Sequence, residues 1–259
     1  MERDPSARCE TPPDAPPEEE AGQRPAPRTL ERLRALFEVV VVSGFPTQLV
    51  LIVLLTGLGL GQTDEAGDLS RVFVYALLLT DALLVITLIG LFLHASRDRW
   101  GDVLLGSRPR LAEAGLGLAT VPVVLVGVAV VMAGIRAAAP WLHNVPENPF
   151  ESLVRTGQDA LMMGAVAVLS GGIKEEIQRA FVLHRFGRYL GGERLGLVVF
   201  SVAFGAGHFM QGWDVGLITM LLGMSWGILY LWRRSIVASV ASHSGFNVAQ
   251  IVQFLVAGS

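Results

Sequence analysis

The chain has one cysteine, Cys9, and one lysine, Lys174, in 259 residues. A single cysteine excludes an intrachain disulfide and any cysteine-based metal site. Charged residues are also scarce, at 17%, where soluble domains carry about 25%. They are unevenly spread, with long stretches holding almost none, so an ordinary soluble domain is excluded. The net charge of −3 gives no basis for a nucleic-acid partner. HExxH and a phosphate-binding glycine loop are absent, which removes the common soluble zinc-peptidase and nucleotide-binding signatures. Residues 1–33 lack the apolar stretch of a cleavable signal peptide. They are rich in Pro, Glu and Arg and are expected to form a disordered cytoplasmic tail.

Apolar residues fill the space that charge leaves. They make up 52% of the chain, with a mean hydropathy of +0.52. Segments of this kind are long enough to cross ~30 Å of hydrocarbon at 1.5 Å per residue. Spans are expected at about 36–60, kinked at Pro46, then at 72–95 and 114–135. A fourth helix runs from Asp159 to Leu190 with a polar last part, and Gly191-Gly192 marks a turn. Further spans follow at 195–210, 215–232 and 236–256. The expected fold is all-α, a polytopic membrane helix bundle of about seven transmembrane helices. It divides into the tail (1–33), three motif-free helices (34–149) and a four-helix core (150–259). Placing the N-terminus inside and the C-terminus outside puts fifteen Lys or Arg on the inner face against three outside. The bilayer is therefore the expected partner, in a bacterial cytoplasmic membrane. Gly223 and Gly227 form a GxxxG pair suited to close helix contact.

Six charged residues fall at membrane depth: Glu38, Asp81, Lys174, Glu175, Glu176 and Arg179. Each costs roughly 2.5–3.5 kcal/mol at a helix centre, so the group must be offset by pairing or water. Glu38 is near a helix end and is expected to reach the interface. Asp81 stands alone in mid-span and is expected to bond a neighbouring helix. Glu175 and Glu176 project about 100° apart on a helix, and Arg179 is at pairing distance from either. One glutamate can thus be neutralised while the other stays free for proton transfer. Phe204 and His208 share a face of one span, and His243 and Asn247 a face of another, at i,i+4 spacing. Glu175 and His208 each lie 16 residues from the glycine turn, at the same expected height in a hairpin. His94, His143 and His184 are read as solvated.

These residues resemble the CPBP family of intramembrane proteases, the CAAX prenyl endopeptidase and Abi group, whose pattern is EExxxR, FxxxH and HxxxN on successive helices. Here the sequence reads Glu175-Glu176-Ile177-Gln178-Arg179, then Phe204 to His208, then His243 to Asn247. The first motif departs from the pattern, with two residues rather than three between Glu176 and Arg179. The resemblance implies an endopeptidase acting on membrane-associated peptides, prenylated CAAX-type peptides among them. Glu175 would activate water with help from His208. His243 and Asn247 would form an oxyanion hole, and Glu176 and Arg179 would hold the site's shape and charge. Glu175, His208 and His243 could alternatively supply a zinc set with an open position; metal-free glutamate catalysis is the preferred reading. Two other functions stay open at this stage: a non-catalytic immunity or scaffold protein of the same family, and a proton-coupled transporter.

Overall fold

A computed structural model describes residues 27–257. Cys9 and most of the tail expected over 1–33 lie outside the described residues; helix α1 has already begun at Thr29. Among the described residues the chain is helical throughout, with no strand beyond one isolated bridge between Thr63 and Leu69.

The first apolar stretch is two helices, α1 (Thr29–Val41) and α2 (Phe45–Gly57), bent by 45° at the break. Pro46 was expected to kink one helix. Instead the chain breaks just before it, and Gly44 takes φ +91°. Pro46 then sits in the first turn of α2, where its missing N–H costs nothing. Helix α3 (Arg71–Ala95) opens on a Ser70 cap, and α4 runs from Arg110 to Ala138. Helix α5 (Gly157–Val166) opens on a Thr156–Asp159 capping box. It passes directly into a π-helical segment, Ala167–Lys174, and then into α6 (Glu175–Tyr189). Gly191 and Gly192 take φ +100° and +109° and turn the chain into α7 (Glu193–Ala206). Helices α8 (Trp213–Arg233) and α9 (Ile236–Ala257) complete the bundle.

Three helices, α3, α4 and α8, are long and apolar enough to cross a membrane, and the bent pair α1–α2 makes a fourth candidate. The chain is an integral membrane protein. The remaining spans expected from sequence fall short of that measure for chemical reasons. Helix α7 has only 14 residues. Helix α6 carries the charged cluster, and α9 spends part of its length on Ser, His, Asn and Gln.

Helix α6 lies in the main apolar core. Its Phe181, Leu183 and Phe186 pack with Val85, Ile89 and Leu93 of α3 and with Leu197 and Phe200 of α7. The glycine pair serves packing, as the sequence suggested. A Cβ at Gly223 would lie 2.9 Å from the Phe204 ring, and one at Gly227 would collide with Leu197. Between lipid-embedded helices close approach of this kind supplies the attraction, since apolar burial does not.

Two expectations about charged side chains are corrected at the end of the bundle where α3 and α6 finish. Glu38 does not reach an open interface but is 2% exposed. It accepts from Arg34 Nε at 2.8 Å and from Arg185 Nε at 2.6 Å. Arg185 also donates to Asp98 at 2.7 Å, and Arg188 donates to the other Asp98 oxygen at 2.5 Å. His184, expected to be solvated, lies 3.3 Å from Asp98 without hydrogen-bond alignment. The buried Arg185 guanidinium is held here because it has two carboxylate partners, Glu38 and Asp98. Burial alone would raise the Asp98 pKa. The hydrogen bond from Arg185 and the charges of His184, Arg185 and Arg188 outweigh it, and the group ends below the usual carboxylate range. A depressed carboxylate contributes stability above its unfolded pKa, about 3.9, and loses it as pH falls through the folded value. Wild-type protein in detergent should therefore melt at a near-constant temperature around neutrality and lose stability on acidification below about pH 4. Asp98→Asn should cost about 1.5–3 kcal/mol at neutral pH and flatten that acid limb. Parallel wild-type and variant profiles would show that Asp98 carries no such role.

On the opposite end, His143 is likewise not free. Its Nδ1 lies 2.9 Å from Oδ2 of Asp214, a fully buried residue in the first turn of α8, and Arg136 Nε approaches the same oxygen at 3.3 Å.

Candidate active site

The site forms where the π segment and the start of α6 meet α9. Gly171 and Gly172 make this approach possible. A Cβ at Gly171 would lie 2.6 Å from Asn247 Nδ2, and one at Gly172 would overlap Ser244. Asn247 Nδ2 donates to the Ala167 carbonyl at 3.3 Å, across the same interface. A π turn displaces following side chains relative to an α-helix, and such turns recur at functional sites. Here the π segment ends at Lys174, immediately before the two glutamates.

The adjacent carboxylates occupy different environments. Glu176 is 1% exposed. Its Oε1 is paired with the Arg179 guanidinium and accepts from His243 Nδ1 at 2.9 Å. The spacing that departs from the family pattern thus joins Arg179 to Glu176 at i,i+3. The guanidinium lies 5.1, 5.3 and 5.8 Å from the ring centres of Phe200, Phe204 and Trp226. A delocalised cation over aromatic faces is a favourable arrangement in a desolvated site. Glu175 keeps 19% of its side chain exposed, and its Oε2 lies 3.8 Å from His243 Nε2.

His243 is held on three sides. Trp226 stacks on its ring at 3.6 Å between centroids, and the indole N–H donates to Ser242 at 3.1 Å. A carboxylate only accepts, so His243 Nδ1 carries a proton and Nε2 is the nitrogen turned toward Glu175. His208 is placed differently from the sequence expectation. Helix α7 ends at Ala206, so His208 lies just beyond it rather than on its face. Its Nδ1 donates to the Phe204 carbonyl at 2.8 Å, which leaves Nε2 with the lone pair. The Phe204 ring contacts both histidines edge-on, with centroids 5.0 Å from His208 and 6.3 Å from His243. Among the described residues no hydrogen bond or ion pair joins His208 to Glu175.

The structure thus brings together Glu175, Glu176, Arg179 and His243, sets Asn247 against the π segment one helical turn beyond, and leaves His208 across the Phe204 ring. Among the described residues no three His, Cys, Asp or Glu side chains gather as a metal-holding group. The Glu175, His208 and His243 zinc set does not fit this arrangement.

Several site residues escaped the sequence reading. Trp226 and Phe200 carry no polar signal in the sequence, and the Gly171-Gly172 pair is a cue that could have pointed to the close approach of α9. Asp81 does bond neighbouring helices, as expected, though its partners were not foreseen: its Oδ2 lies 3.1 Å from Lys174 Nζ, and its Oδ1 accepts from Thr47 at 2.6 Å.

Residues 157–249 match the family model described as type II CAAX prenyl endopeptidase Rce1-like. This segment is similar to the CPBP family of intramembrane proteases. It covers α5 to most of α9, with every motif residue inside it, and leaves α1–α4 outside. No curated protein and no solved structure matches the chain.

Proposed function

We propose that the chain is an intramembrane endopeptidase in which the Glu175 carboxylate activates water to hydrolyse a peptide bond of a membrane-associated substrate. The unequal environments of the two adjacent glutamates carry this reading. Glu176 is committed to Arg179 and His243, whereas Glu175 is partly exposed and makes no hydrogen bond within the described chain. A general base must be accessible and not committed to a hydrogen bond, and Glu175 meets both requirements, with His243 Nε2 3.8 Å from its Oε2. The Glu175 carboxylate takes a proton from water as the oxygen attacks the peptide carbonyl, and that proton passes to the departing amine. The developing oxyanion needs fixed donors. The Asn247 amide is such a donor without any change of protonation. His243 can donate through Nε2 only when that nitrogen is also protonated, since Nδ1 is used on Glu176. His208, across the Phe204 ring, assists proton movement at the margin of the site.

The family description names a CAAX prenyl endopeptidase, and a lipid-anchored peptide is the substrate class we assign. The arginine distribution supports an orientation with the N-terminus inside and the C-terminus outside, and a bacterial cytoplasmic membrane is the location we assign. Asn247→Ala tests the oxyanion assignment. It should insert normally and lower kcat by about two to three orders of magnitude, the usual cost of losing one such donor. Full turnover by this variant would remove Asn247 from the machinery.

A further inference from the structure

Lys174, Asp81 and Thr47 form a polar cluster at membrane depth that the peptidase chemistry does not use. Lys174 is 4% exposed and Asp81 0%. The cluster ties three parts of the chain: Thr47 in the first turn of α2, Asp81 in the middle of α3, and Lys174 as the last residue of the π segment. A second tie lies alongside, where the Gln178 amide donates to the Val42 carbonyl at the α1–α2 break.

Stability does not explain the ion pair. Placing charges in a bilayer costs roughly 2.5–3.5 kcal/mol each on insertion scales. Replacing a buried pair with apolar side chains is often neutral or stabilising. The location offers another explanation. Lys174 sits at the junction where π-helical turns give way to α6, and the next residue is Glu175. Relaxing the π segment to α-helical register would shift the following residues by one position, which is about 100° of rotation. That rotation would carry Glu176 away from His243 and redirect Glu175. An ion pair with a fixed partner on another helix opposes the shift, because the ammonium group cannot rotate away from Asp81 without stranding a charge.

We infer that Asp81, Lys174 and Thr47 are positioning residues that lock the register of the π segment and thereby aim Glu175. This inference rests on the peptidase reading. It gives the motif-free helices α2 and α3 a direct part in the site, through Thr47 and Asp81, which lie outside the family match.

The test uses the full chain in proteoliposomes with a library of membrane-inserted peptides that includes farnesylated CAAX sequences. The paired variant Asp81→Leu/Lys174→Met removes both charges together. It should melt at or above the wild-type temperature, keep KM within about twofold and lose about ten- to a hundredfold in kcat, the scale of a misplaced reacting group. Thr47→Val removes one hydroxyl at nearly constant volume and should lower kcat in the same direction by less. A paired variant with wild-type kcat overturns the inference. If that variant fails to insert, Thr47→Val decides, and wild-type kcat there overturns the inference equally. Wild-type protein that cleaves no peptide defeats the peptidase reading itself. Cleavage by wild type that is lost in Glu175→Gln but kept in the paired variant defeats only the register lock.

Discussion

Glu175→Gln is expected to abolish peptide hydrolysis while the protein still inserts and folds. The substitution keeps the size of the side chain and leaves it able to hydrogen bond, but removes its proton-accepting carboxylate. Glu175 is partly exposed and is not part of the Glu176–Arg179 pair, so the bundle has little to lose. Loss of a general base lowers rates by about 10²–10⁴, and groups that act as a unit often show the whole effect on removal of one. The expected result is a wild-type melting temperature with turnover down by at least about a thousandfold. Full turnover by folded Glu175→Gln would assign the motif a structural role and favour a non-catalytic scaffold.

Arg179→Ala should fail in a different way, through stability. It leaves the Glu176 carboxylate fully buried with His243 as its remaining partner. Breaking a buried ion pair from one side costs about 3–5 kcal/mol. The guanidinium is also surrounded by Phe200, Phe204 and Trp226, and that attraction goes with it. Folded yield and melting temperature should both drop, with activity following. Arg179→Lys should not restore the protein, because a compact ammonium on a flexible stem cannot reproduce a planar cation set against three rings. Glu176→Leu/Arg179→Met should recover stability without activity, since it removes both charges but leaves His243 Nδ1 without its acceptor. An Arg179→Ala protein that melts within a degree or so of wild type would contradict this account of the pair.

The contrast between these variants follows from a division that was partly legible in the sequence. Spacing alone showed that Arg179 could reach Glu175 or Glu176, and that one glutamate could be neutralised while the other stayed free. It did not say which, because the choice depends on how α9 brings His243 to one of them. Helix positions followed from apolar length, and the α6–α7 turn from two glycines. The break before α2 was displaced from its expected position because a proline reads alike as a kink or as the first turn of a new helix. The π segment left no signature, since its register is fixed by contact with α9 and by the ion pair to Asp81. The partners Asp81 and Lys174 are far apart in the chain, and nothing local encodes their pairing. The end of α7 came early for a similar reason. Gly205-Ala206-Gly207 offers little to hold a helical turn, and His208 satisfies itself on the Phe204 carbonyl instead.

The most direct test is mass spectrometry of a membrane-peptide library incubated with purified wild-type protein and with Glu175→Gln, each with chelator present. New peptide termini are expected with wild type in the presence of chelator and none with Glu175→Gln. Identical termini from both proteins, or none from wild type, would contradict a Glu175-led peptidase.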